Sequence, residues 1–338
     1  MKGAYILALA ILLAAGPTVA AQDETFSLYS PLATNAALVD RLLSPLAAEA
    51  GRRGLAANGR TLAEQPLDLA QERFTLYVPA KGPPKGYGLL VFISPSDEAK
   101  LPPGWASILD RYGLIFVAAQ RSGNDQNVIG RRAPLALEAA WNVQQRYAID
   151  AERVFVGGFS GGSRVALQLA LAYPDLLRGA FLDAGSDPIA VAPAVLPARP
   201  LFELVQTRSR IAYVSGAEDT AAVAADVASL ASLSRWCVFG GASRTTPGAG
   251  HQIADARALG QALELLTRPG APDASRLAAC RTRVDREVQV RLAQATALVA
   301  AGDRDKARKA LLDLDGSVGA LAMPELRDLA DRCACGPP

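Results

Sequence analysis

The chain has 338 residues, of which half are apolar, and its 35 Lys and Arg against 33 Asp and Glu leave a net charge of +2. So even a balance excludes a general attraction to nucleic acid or anionic membrane, while the length and apolar fraction allow a large core with room for a smaller appendage. Met1-Lys2-Gly3-Ala4 leads into an apolar run at 5–15, then Gly16-Pro17 and the small residues Thr18-Val19-Ala20-Ala21. The run is shorter than the roughly 18 residues that cross a bilayer, so residues 1–21 read as a cleaved signal peptide and not as an anchor. The mature chain then starts near Gln22 and is expected in a periplasm or outside the cell, with no stable membrane insertion after cleavage. In such a compartment the four cysteines Cys237, Cys280, Cys333 and Cys335 are expected in disulfides that staple the C-terminal segment, with three connectivities open. Cys333-x-Cys335 is not zinc-knuckle spacing and the chain has one histidine, so no metal or other cofactor is expected.

In chain order, residues 22–70 form an N-terminal helical segment, with a helix expected at 36–50 carrying Leu38, Leu42, Leu43 and Leu46 on one side. Short apolar runs broken by Gly and Pro follow at 74–78, 89–93, 114–119, 154–156, 180–182, 211–214 and 236–239, and each is a strand candidate. Helical stretches lie between most of them, at 135–147, 162–173, 221–233 and 253–267, with apolar residues three or four apart. Strands alternating with helices, and strands apolar throughout, imply an α/β fold with a mostly parallel sheet covered on both faces over 71–269. Near Pro269-Gly270-Ala271-Pro272 the composition shifts, and residues 270–338 lack aromatic residues and are rich in charges of both signs. Gly302-Asp303 divides 295–314 into two helical halves resembling one tetratricopeptide unit, which is too little for a solenoid. A small helical appendage is expected, and it is where a protein partner would dock.

The segment Val154-Phe155-Val156-Gly157-Gly158-Phe159-Ser160-Gly161-Gly162 holds a G-x-S-x-G motif, Gly158 to Gly162. A buried strand precedes it and an apolar helix follows, so Ser160 falls on the tight strand-to-helix turn that exposes a nucleophilic hydroxyl. A serine needs a base within hydrogen-bond reach, and the one histidine, His251, lies in a loop after the last strand candidate and before a helix. Its place after Ser160 excludes the two chain orders in which histidine precedes serine. For the acid, Asp219 follows the strand at 211–214, with Glu218 and Asp183 as alternatives; Asp219 equally suits a helix N-cap. An oxyanion needs two backbone N–H donors: Gly161, and one from the loop Ser94-Pro95-Ser96-Asp97, where Pro95 has none and Ser96 is the better candidate over Ser94. The loop 121–132 carries Arg121, Arg131 and Arg132 on the side where such sheets bind ligands, and its arginines face either solvent or an acidic substrate.

With these residues in place the chain resembles the α/β-hydrolase superfamily over about 74–267, most nearly its secreted polyhydroxybutyrate-depolymerase and feruloyl-esterase-like group. Arg73-Phe74-Thr75-Leu76-Tyr77-Val78-Pro79 looks like that group's opening strand, and Tyr147-Ala148-Ile149-Asp150-Ala151-Glu152-Arg153-Val154 like its lead into the elbow. The resemblance implies Ser160, His251 and Asp219 as the triad of an ester hydrolase acting on a small or polymeric ester. Where such enzymes carry His-Gly after the third strand, this chain has Ser94-Pro95. A serine peptidase of the same fold and a non-catalytic binding protein are the alternatives.

Overall fold

A computed structural model describes residues 20–268 and 270–335; the expected leader lies outside these but for Ala20 and Ala21. Eight strands form one sheet in the order β1-β2-β4-β3-β5-β6-β7-β8. They are β1 Gln22–Glu24, β2 Phe74–Tyr77, β3 Tyr87–Ile93, β4 Leu114–Ala119, β5 Ile149–Phe159, β6 Gly179–Asp183, β7 Arg210–Gly216 and β8 Gly241–Thr246. β2 runs antiparallel to β1 and β4, and every pairing from β4 to β8 is parallel. The apolar runs divide between the two faces with the two-residue period of a strand. Leu89, Val91, Ile93, Val154 and Val156 join an aliphatic cluster on one face, and Leu90, Phe92, Phe116, Phe155 and Phe181 a more aromatic one on the other.

The helices are α1 Asn35–Leu42, α2 Pro45–Ala57, α3 Trp105–Tyr112, α4 Ala133–Arg146, α5 Gly161–Ala172, α6 Arg199–Arg208, α7 Thr220–Arg235, α8 Ala256–Thr267, α9 Ala274–Ala300, α10 Arg304–Val318 and α11 Glu325–Cys333. α3 and α8 cover the aromatic face, where Trp105 stacks edge-on against Phe92 at 5.3 Å. α4 and α5 pack on the other, and that cluster continues without a break into Leu277, Val288, Leu311 and Leu326 of the C-terminal helices.

Two expectations are corrected. The single helix at 36–50 is two, α1 and α2, because Pro45 disfavours helical backbone before it and Ser44 is extended. The strand at 236–239 is absent. Trp236 ends α7, and the N–H groups of Trp236, Cys237 and Val238 bond back to carbonyls at 232–234. The last strand is instead β8, an edge strand of sequence GASRTT with a half-exposed surface. The C-terminal helix pair does turn at Gly302, whose φ of +72° suits glycine.

The disulfides are Cys237–Cys280, which ties the chain after α7 to α9, and Cys333–Cys335 at the end of α11. A second tie joins the two ends of the sequence. Asp315 of α10 is buried and accepts hydrogen bonds from the Ser44 hydroxyl and from the Leu46 N–H, 3.0 Å away, in the open first turn of α2. Burial raises its pKa, as it raises that of Glu138 in α4.

Candidate active site

β5 delivers Ser160 and α5 begins at the next residue, so the chain must reverse within one turn. Ser160 takes φ 54° and ψ −119°, a conformation that costs an L-residue about 1–3 kcal/mol and is held by its surroundings. Its N–H donates to the Asp183 carbonyl at 2.8 Å. The close approach that makes the turn possible depends on Gly162, where a Cβ would lie 1.9 Å from the Ile93 carbonyl oxygen. Among the described residues the Gly161 N–H has no acceptor, as the first N–H groups of a helix have none inside it.

His251 lies in the loop between β8 and α8. Its Nε2 is 3.0 Å from Ser160 Oγ and its Nδ1 is 2.6 Å from Asp219 Oδ2. The imidazole packs on the Phe159 ring with centroids 5.0 Å apart. The His251 side chain is 52% exposed and that of Asp219 only 10%, so the end of the chain of bonds that meets a reactant is open and the acid is shielded. Asp219 uses its oxygens separately, because Oδ1 accepts the Ala222 N–H at 3.1 Å and caps α7. Cap and histidine partner are therefore one residue in both roles. Its pKa is lowered, first by the bond to His251 and then by the Ala222 N–H, which keeps the carboxylate ionised.

The two alternative acids lie elsewhere. Glu218 is exposed, outside this chain of bonds, and its backbone N–H donates to the Ala249 carbonyl, coupling the acid loop to the histidine loop. Asp183, at the end of β6, is buried and accepts the Ala254 N–H at 2.8 Å. The Ala254 carbonyl in turn accepts from Trp105 Nε1 at 2.8 Å. Both backbone groups of Ala254 are thus fastened by buried side chains, three residues from His251. Burial raises the Asp183 pKa well above the ordinary carboxyl range.

On the other side of the serine, the Ser96 N–H donates to Ser94 Oγ at 3.1 Å and is not left free. The Asn124 N–H bonds the Pro95 carbonyl at 2.9 Å, and its side chain reaches across the elbow to within 2.2 Å of where a Gly161 Cβ would be. The arginines of this loop turn to protein partners. Arg131 forks onto buried Glu72 at 2.9 and 2.7 Å, and Arg121 reaches the same carboxylate. Arg132 is 4% exposed and donates to the carbonyls of Ser122 at 2.9 Å and Ser94 at 3.1 Å, with Gly161 at 3.5 Å. It braces three loops where they converge on the elbow, with no carboxylate paired to it among the described residues. Nothing in the sequence separates Arg132 from Arg131, so this role was not readable there. Among the described residues no cluster of His, Cys, Asp or Glu is placed to hold a metal ion.

Residues 115–192, from β4 through the elbow, match the model of the phospholipase/carboxylesterase family. The sheet order and the strand-serine-helix turn agree with this match in giving the fold. The chain has the α/β-hydrolase fold. A search of curated proteins by sequence returns no match. Solved structures similar to it include a ferulic acid esterase, 16% identical over 58% of this chain and 92% of that one, with a TM-score of 0.44. A thermophilic esterase from the Planctomycetes species Thermogutta terrifontis is 16% identical over 60% and 87%, TM-score 0.43. Dipeptidyl peptidase 4 of Porphyromonas gingivalis is 12% identical over 59% and 34%, TM-score 0.43.

Proposed function

We propose that this protein cleaves carboxylic esters through an acyl-enzyme formed on Ser160. The observation that carries the proposal is the unbroken chain of hydrogen bonds from Ser160 Oγ through His251 to Asp219, 3.0 and 2.6 Å long. In this reading Ser160 Oγ attacks the ester carbonyl while His251 Nε2 takes its proton. Asp219 holds the tautomer with the proton on Nδ1 and stabilises the imidazolium that forms. The tetrahedral oxyanion is met by the free Gly161 N–H. His251 then returns the proton to the leaving alcohol, and water enters by the same route to release the acid. The half-exposed imidazole gives both alcohol and water direct access to Nε2. The match of 115–192 to a phospholipase/carboxylesterase family favours an ester over a peptide bond.

The signal-peptide-like pattern of residues 1–21 and the Cys237–Cys280 disulfide support a reading of secretion or a periplasmic location. Labelling the purified mature protein with a fluorophosphonate tests the mechanism. Modification at Ser160 that is lost in His251→Ala, with acyl-ester turnover abolished in Ser160→Ala, is the expected result. A folded protein that is not labelled would refute it and favour a binding role on the same fold.

A further inference from the structure

The end of the sheet opposite the serine carries a concentration of positive charge that the ester-cleaving reading does not use. A cavity of about 500 Å³ opens where the parallel strands begin, lined by Lys85, Arg153, Arg178, Arg208, Arg210 and Arg268 with one acid, Glu152. In a chain whose charges otherwise nearly cancel, six cations lining the cavity against Glu152 and the flanking Asp150 and Glu264 leave a local excess of positive charge. The sheet itself assembles it. The Arg178 N–H bonds the Val154 carbonyl at 2.8 Å and the Arg210 N–H bonds the Arg178 carbonyl at 3.0 Å, so Arg153, Arg178 and Arg210 stand near the level where β5, β6 and β7 first pair. Like charges so placed repel.

Internal partners offset only part of this. Arg153 is paired with Asp150 at 3.2 Å, Arg178 with Glu152 at 3.2 Å and Arg268 with Glu264 at 3.7 Å. Among the described residues the Arg210 side chain donates to the backbone carbonyls of Arg268 and Gly270 and pairs with no carboxylate, and burial lowers its pKa. Lys85 and Arg208 are exposed and make no ion pair among the described residues. A neighbouring cavity of about 240 Å³ shares Arg210 and Arg268 and is also lined by Gln206, which accepts from Arg281 Nε at 2.7 Å. The buried Arg281 Nη2 has no acceptor. Guanidinium groups fork onto the oxygens of carboxylate and phosphate, and an excess of this size calls for a compact anion of more than one charge.

We propose that this basin binds a phosphate-bearing anion of multiple charge, such as a diphosphate group. It lies roughly 20 Å from Ser160, seven residues back along β5, so the two sites are separate. Calorimetric titration of the mature protein with inorganic pyrophosphate at low ionic strength tests this. One site per chain is expected, weakened at least tenfold in the Lys85→Gln/Arg208→Gln double variant and unchanged in a Lys81→Gln/Lys309→Gln control of equal charge. Ester turnover within twofold of wild type in the double variant shows that it is folded. No binding, or equal weakening in variant and control, would overturn the proposal. Flotation with phosphatidylglycerol vesicles distinguishes the source. Vesicle binding displaced by pyrophosphate assigns the phosphate to a lipid headgroup, and absence of flotation assigns it to a soluble ligand. Vesicle binding that pyrophosphate does not displace would overturn the concave site in favour of diffuse surface charge.

Discussion

Glu138 sits in the middle of α4 with 1% of its surface exposed, and the Ser30 N–H donates to its Oε2 at 2.7 Å. Burial outweighs that bond and pushes its pKa from 4.5 to about 7. The native state therefore keeps a proton that the unfolded chain releases, and stability falls as pH rises between these values. The full effect, present above pH 7 and absent below 4.5, is roughly 3 kcal/mol at about 1.4 kcal/mol per unit. Glu138→Gln keeps an oxygen for the Ser30 N–H and removes the ionisation. Urea denaturation of both proteins from pH 4 to 8.5 should show the variant gaining on the wild type across that window and then holding a constant lead. Reading the slope of the difference, and not its offset, separates ionisation from any packing change. A difference that stays flat with pH would show that the carboxyl is not desolvated as the structure has it, and would refute the reasoning.

Gly162→Ala drives a Cβ into the Ile93 backbone and should cost more than about 3 kcal/mol or prevent folding, whereas Gly161→Ala meets only the movable Asn124 side chain and should fold; circular dichroism melts compare them. Asp183→Asn retains an acceptor for Ala254 and should keep near-normal turnover, while Asp183→Ala frees the histidine loop and should lower kcat about tenfold with KM little changed. Loss of activity in Asp183→Asn would instead make Asp183 the acid of the triad. Arg132→Met strands three carbonyls and should destabilise by roughly 3 kcal/mol, with Arg132→Lys recovering only part, since an ammonium lacks the planar fork. Reducing Cys237–Cys280, which spans a sequence separation of 43, should remove roughly 4 kcal/mol of loop entropy, read as a lower Tm in a Cys333→Ser/Cys335→Ser background.

What was legible in the sequence follows from where apolar contrast is strong. β3 to β7 are covered by helices on both faces, so they stand out as continuous apolar runs, and the Gly-rich turn around Ser160 is conspicuous because steric demand there admits little else. β8 has one edge open to water and shows no such run. Its place was taken in the sequence by 236–239, which are apolar because they pack under α9 beside the disulfide. Asp219 was readable twice, as cap and as partner of His251, and the structure reconciles these by giving each role its own oxygen. Arg132 and Asp183 were misread for a shared reason. Their work is done through backbone atoms of distant loops, and a backbone carbonyl or N–H leaves no mark in a sequence.

The bond from Asp315 to the first turn of α2 sets an order on assembly. Synthesis delivers α2 early, yet its N-terminal N–H groups find their acceptor only after some 270 further residues have been made, and Cys237 likewise waits for α9. A leading fragment that ends before α10 therefore has α1 capped by its own Thr34 but leaves the first turn of α2 without its carboxylate.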